Sequence, residues 1–417
     1  MIKTQGVIMP AAAQNNSASM RSGAGFAVLA AGSIMQLFLG ILYVWSVFVN
    51  PVSEAFGWHV NSVKLTSSFM LCFFVVGILA GGKLHLKIGS DKVVLGGGLL
   101  LSAGMLATAL LPQNMAWLMY FTYGIAGGFG VGSAYNAIIC AAQKWFPQNR
   151  GFATGVVVCA FGFSTVVFAP LIETLISQFD LRSTFLILAG AFFTATICLF
   201  RFIRLPDEKT AEIPAAMPAK KQYTVSETIR TKEFYIITFS LMASTATFFI
   251  LNPAFKTYAA ERGVAALGTI IVMMTGVANA CGRLAVPMLS DKIGREKAAL
   301  TVILITSICA LLLCFAQNFL FIAVILLIAF CFGGLPGLYS VLAADYFGTK
   351  NAGANYGMIM MGFALSALTF PMLIGLIHTD VMKFITLSVM AAGGVILMIL
   401  LLILKKKNEE TQCRKNY

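Results

Sequence analysis

Apolar residues fill this chain in runs of about 20 or more, and short polar turns separate the runs. They recur roughly twelve times, near 25–49, 63–83, 92–112, 116–140, 152–176, 184–203, 234–254, 266–288, 298–316, 319–343, 354–377 and 382–404. At about 1.5 Å of rise per residue, such a run is long enough as a helix to cross the hydrocarbon of a bilayer. The pattern predicts an all-α, polytopic membrane protein with 12 transmembrane helices. The first 24 residues are polar, rich in Ala, Ser and Asn, and lack an apolar run, so the first span is expected to act as an uncleaved insertion signal.

Composition agrees with that pattern. A chain of 417 residues with 59% hydrophobic and 11% charged side chains cannot cover a soluble surface. The net charge of +13 then concerns topology rather than nucleic acid. With a cytoplasmic N-terminus, about 23 Lys and Arg lie inside, five lie outside (Lys64, Arg182, Lys256, Arg262 and Lys383), and Arg283 lies within the membrane. Both termini are therefore expected in the cytoplasm of a multi-pass cell-membrane protein, with Lys405-Lys406-Lys407 as a stop signal after the last span. The nine cysteines include no C-x-x-C and accompany no His cluster, so neither a metal nor a cofactor is expected.

The longest hydrophilic stretch, Arg204–Lys232, divides the chain into two halves of six spans. Leu86-Lys87-Ile88-Gly89 recurs as Asp291-Lys292-Ile293-Gly294 about 205 residues later, and Trp145-Phe146-Pro147 recurs as Tyr346-Phe347-Gly348 at an offset of about 201. Two landmarks at nearly one offset argue for a duplicated six-helix unit, the parallel-repeat plan of alternating-access transporters. The expected organisation is a cytoplasmic tail (1–24), a six-helix bundle (25–203), a cytoplasmic linker (204–232), a second, pseudo-symmetric bundle (233–404) and a basic tail (405–417). Such a chain is expected to work as a monomer.

Arg283 interrupts Ala265–Val286, which holds no other charge, and lies eight residues before the polar turn at Asp291. A guanidinium at that depth costs several kcal/mol unless it meets an anion, and no Asp or Glu shares the segment. The expected partner is a substrate carboxylate, which the planar fork of donors matches in two parallel hydrogen bonds. A distant acid or capped carbonyls are the alternatives. Asn279 precedes it by one turn and shares its face. Gln36, Gly40 and Tyr43 on the first span, and Gly128, Gly132 and Tyr135 on the fourth, form stripes suited to line a cavity, and Tyr339 on the tenth span is a further phenol at mid-membrane. A tyrosine ring can wall off a small substrate while its hydroxyl donates to a carboxylate oxygen. Asn279 and Gln36 serve equally as interhelical hydrogen bonds.

The loop Pro287-x-x-x-Asp291-Lys292-x-Gly294-Arg295-Glu296-Lys297 resembles the signature of the major facilitator superfamily, G-x-x-x-D-(R/K)-x-G-(R/K)-(R/K). The first half repeats it as Gly82-x-x-x-Leu86-Lys87-x-Gly89, with Leu86 where the acid belongs. The resemblance implies the two-bundle facilitator fold and a gating role for these loops, with the acid bracing the ends of neighbouring helices and the Leu86 half more weakly gated. Gly40-Ile-Leu-Tyr43-Val-Trp45-Ser46-x-x-x-Asn50-Pro51, Lys144-Trp145-Phe146-Pro147-x-x-Arg150-Gly151, Asn279-x-x-Gly282-Arg283 and Asp345-x-Phe347-Gly348…Asn355-Tyr356-Gly357 together look like the oxalate:formate antiporter family. In that family the arginine matching Arg283 binds substrate carboxylate. Its dicarboxylate carriers hold a second cation, a lysine on the eleventh span, where this chain has Phe363. One buried cation neutralises one carboxylate, and a second, unpaired carboxylate would meet a desolvation penalty.

The expected function is therefore secondary transport of a monocarboxylate such as lactate, pyruvate or formate, with Phe363 against its apolar end. Protons or a counter-transported anion are the open choices for coupling. Oxalate–formate exchange and a carboxylate sensor of transporter ancestry are the alternatives. Paired acids, a metal set or an activated nucleophile at membrane depth are missing from the sequence, so an enzyme is not expected.

Overall fold

The computed structural model describes residues 11–206, 222–374 and 376–415. The middle of the expected linker, residues 207–221, lies outside them, as do residues 1–10 of the first tail and 416–417 of the last. Among the described residues twelve long helices follow one another without a strand. They are α1 (Ala11–Leu39, continued by a 3₁₀ turn Gly40–Val44 and by Trp45–Phe56), α2 (Val60–Ile88), α3 (Ser90–Ala109), α4 (Gln113–Trp145), α5 (Arg150–Gln178) and α6 (Leu181–Phe202). The second half supplies α7 (Lys232–Leu251), α8 (Gly268–Ile293), α9 (Arg295–Leu312), α10 (Asn318–Phe347), α11 (Ala352–Ile374) and α12 (Asp380–Lys415). Ten of these segments are long and apolar enough to span a membrane. Helices suit that setting because each satisfies its own backbone polar groups without water.

The repeat shows in the backbone. Gly89 after α2 and Gly294 after α8 share φ +94°, with ψ 153° and 147°, a conformation that only glycine adopts without strain. Within each bundle the helices approach through glycines. A Cβ at Gly132 of α4 would run into the Phe74 carbonyl of α2, and one at Gly128 into the Met70 carbonyl. One at Gly40 of α1 would meet Phe161 and Ser164 of α5. These three glycines pack helix on helix and do not line a cavity, because the backbone of a neighbour occupies the space beside them.

The two bundles meet through α5 against α8 and α2 against α11. Gly151 of α5 abuts Pro287 of α8, and Gly82 of α2 abuts Gly353 of α11, so the repeat places a glycine at each crossing. Both crossings lie at the end that carries the α2–α3 and α8–α9 loops and the first and last described residues, Ala11 and Lys415, called here the termini end. One continuous apolar core runs through the first bundle and into the second by way of Val286, Leu338, Tyr339 and Phe363. A separate core built on Leu251, Phe255, Phe321 and Phe384 fills the far end of the second bundle. The cores are thus fused toward the termini end, and the molecule is closed there.

Candidate functional site

Arg283, on α8, is 3% exposed and is the only Lys or Arg among the described residues that is fully buried. Its Nε donates to Oδ1 of Asn279 one turn earlier, at 2.8 Å. The guanidinium carbon lies 5.4 Å from the Tyr43 ring centre and 5.6 Å from that of Phe161. No carboxylate among the described residues lies within ion-pair distance of it. Two ring faces offset part of the desolvation cost of a buried cation, yet they leave the hydrogen-bonding capacity of both terminal nitrogens unused.

The neighbours come from both bundles. Tyr43 of α1 meets Phe161 of α5 edge-on at 5.6 Å, Phe161 meets Tyr135 of α4 at 4.9 Å, and Phe74 of α2 meets Tyr135 at 5.3 Å. Tyr135 is within electrostatic reach of Arg283, as is Tyr356 of α11. Tyr135 and Tyr356 interact, but the buried Tyr356 hydroxyl makes no hydrogen bond of good geometry. The structure therefore brings Arg283, Asn279, Tyr43 and Tyr135 into one cluster.

It does not do so for the other expected residues. Gln36 donates its amide to the Tyr135 carbonyl at 3.2 Å, an interhelical bond, although its Oε1 remains without a partner. Tyr339 shares a 2.8 Å hydrogen bond with Ser240 of α7. Phe363 stacks with Phe332 at 5.9 Å and meets Phe249 at 4.9 Å. The backbone contacts of Gly282 with Phe330 and of Gly333 with Asn279 set that turn of α10 beside Arg283, so Phe363 stands at the same depth in an uncharged aromatic wall.

Phe161 and Gly162 join the cluster without a signal in the sequence, and Tyr356, which stands in the Asn355-Tyr356-Gly357 motif, joins it without having been expected at the site. An aromatic or a glycine in an apolar helix carries no contrast; only spacing on the facing helices could have suggested them. A cavity of about 60 Å³ opens just beyond Phe74, between Ser68, Leu71 and Cys72 of α2 and Ala364, Ala367 and Leu368 of α11. It offers no charged group, so chemistry rather than open volume selects the Arg283 cluster.

At the termini end, Asp291 accepts from the Gly151 and Phe152 backbone N–H groups at 3.1 and 2.8 Å. It thereby satisfies two orphan donors at the positive end of α5. Arg295 pairs with Asp291 at 2.5 Å and with Asp345 at 3.2 Å, and Asp345 also pairs with Arg150 at 2.9 Å. Lys292 points outward and is exposed. In the first half Leu86 is exposed and has nothing to accept with. The expected cytoplasmic loop residues Gly82, Gly89, Asp291, Gly294 and Arg295 thus lie at or beside the two bundle crossings.

Twelve helices in two repeated halves enclose a buried cation, an arrangement that fits a membrane carrier. The profile of the Major Facilitator Superfamily matches residues 22–371, with a second match over 237–415. The chain belongs to the major facilitator superfamily and is a multi-pass membrane transporter. It is similar to the oxalate:formate antiporter of Oxalobacter formigenes, with 26% identity over 82% of each chain. It is also similar to monocarboxylate transporter 13 of Rattus norvegicus, with 25% identity over 50% of each. Among solved structures, the human organic anion transporter MFSD10 superposes with a TM-score of 0.67 and 14% identity, over 90% of this chain and 99% of that one, a likeness of fold alone.

Proposed function

We propose that this transporter carries small monocarboxylates of the lactate, pyruvate or formate type by alternating access, with Arg283 as the receptor for the carboxylate. The observation that carries the reading is a fully buried guanidinium with no carboxylate partner among the described residues. Asn279 fixes Nε, so the terminal nitrogens stay free to take both oxygens of an incoming anion. Tyr43, Tyr135 and Tyr356 bring phenols to the same place, and the aromatic wall at Phe363 suits an apolar end rather than a second carboxylate. Exchange of oxalate, the cargo named for one relative, is disfavoured by the single cation. The excess of Lys and Arg at the termini end supports a cytoplasmic location for it, and in this reading residues 25–203 and 233–404 are the two bundles of a protein acting as a monomer.

Uptake of labelled lactate and pyruvate into proteoliposomes tests the reading. Arg283→Ala is expected to abolish saturable uptake, a loss of at least about a hundredfold, while the protein still purifies as a folded monomer. Arg283→Lys is expected to restore little, because a point charge cannot reproduce the fork. Normal saturable uptake by Arg283→Ala would sink the assignment.

A further inference from the structure

We propose that Asn136 and Gln143 of α4 form an uncharged latch that holds the termini end closed, Asn136 taking the place, at the α2–α11 crossing, of the acid that the first-half loop lacks. At the α5–α8 crossing the brace is ionic, because Asp291 caps α5 and Arg150, Asp345 and Arg295 surround it. The repeat-related position at the α2–α11 crossing is Leu86, which can make no such bond. Instead, Asn136, wholly buried, donates its amide to two carbonyls at once: Ile78 of α2 in its own bundle, at 2.7 Å, and Gly353 of α11 in the other, at 2.8 Å. Two turns on, the buried Gln143 donates to the Thr154 hydroxyl of α5 in its own bundle and to the Ser340 hydroxyl of α10 in the other, both at 3.0 Å.

Asn136, Cys140 and Gln143 fall at i, i+4 and i+7, so one face of α4 points at the second bundle. Cys140 completes that face: its thiol lies 3.6 Å from Asn136 Oδ1, and a Cβ at Gly353 would come within 2.6 Å of its sulfur. Both bonds that this face sends across the interface leave an amide donor of α4, one ending on α10 and the other on α11. Opening the termini end breaks both bonds and admits water to both amides. The two crossings therefore respond differently to solution conditions. The partly exposed ion pairs are screened by salt, and the buried amides are not.

The latch concerns the gate and holds whatever the cargo, so its failure leaves the carboxylate reading untouched. Spin labels at Lys87→Cys and Lys350→Cys, exposed positions on opposite bundles at the termini end, report closed and open populations as short and long distances. The background replaces the native thiols other than Cys140. Asn136→Ala is expected to raise the open-to-closed ratio about tenfold. Raising salt from about 0.05 to about 1 M should raise both ratios as the ion pairs are screened, and the roughly tenfold gap between Asn136→Ala and the wild type should persist because the buried amide bonds are not screened. An unchanged ratio in Asn136→Ala, or a gap between the two proteins that closes at about 1 M salt, overturns the proposal. Should Asn136→Ala fail to fold, Ser340→Ala removes the acceptor across the interface together with the hydroxyl's bond to the Gly337 carbonyl of its own helix; an unchanged ratio there overturns it as well.

Discussion

Gly162 lets Arg283 lie flat against α5: a Cβ there would come within 2.8 Å of Arg283 Cδ and 3.1 Å of Nε. Gly162→Ala is therefore expected to push the guanidinium off Asn279 and weaken carboxylate binding about tenfold, with a smaller effect on folding because the Ala280 Cα at 3.2 Å must also give by a few tenths of an ångström. Titration of lactate binding checks it, and wild-type affinity would show that Arg283 has another position to occupy. Phe363→Lys supplies a second cation where oxalate carriers have one. The oxalate-to-lactate binding ratio is expected to rise at least about tenfold, and a wild type that already prefers oxalate would remove the basis for a monocarboxylate cargo. Arg283 is legible in the sequence because a charge in an apolar run has no other company. Phe161 is not, and Tyr356 is legible only as part of a motif, because the closeness of both to Arg283 depends on how α5, α11 and α8 cross.

Along α4, a helix with 3₁₀ and π segments before Gly128 presents glycines to its neighbours on one face and amides to the other bundle on another. Gly132→Ala drives a Cβ into the backbone of α2 at Phe74, where no rotamer change relieves it. The expected cost is about 1–3 kcal/mol, read as a lower melting temperature in detergent. A neutral outcome would mean that α2 slides freely at this crossing. Periodicity places Gly128, Gly132 and Tyr135 on one stripe, and they are on one, but only Tyr135 comes within electrostatic reach of Arg283. A 3.6-residue period identifies a face; it does not say whether a helix or a cavity lies opposite.

For the whole molecule, closure at the termini end depends on Asp345 lying between two arginines of different bundles. Asp345→Asn leaves Arg150 and Arg295 facing each other across the crossing, and the open population is expected to grow about tenfold at low salt and less at high salt. Distance measurements between Lys87→Cys and Lys350→Cys read the change. An unaltered distribution would show that the ion pairs follow closure rather than support it.

The twelve spans, the duplication and the buried cation are local or periodic properties: hydrophobic length, recurrence of a loop and one charge out of place. Each can be read from the chain alone because the bilayer imposes a threshold that a segment either meets or fails. Tertiary structure decides where each polar group in the membrane finds its partner. Gln36 reaches the Tyr135 carbonyl, Tyr339 reaches Ser240, and Asn136 bridges two bundles to Gly353, a residue 217 positions away. The reason is that a hydrogen bond is won over a few ångströms, and those ångströms are set by helix crossings whose glycines look alike in the sequence until the helices are packed.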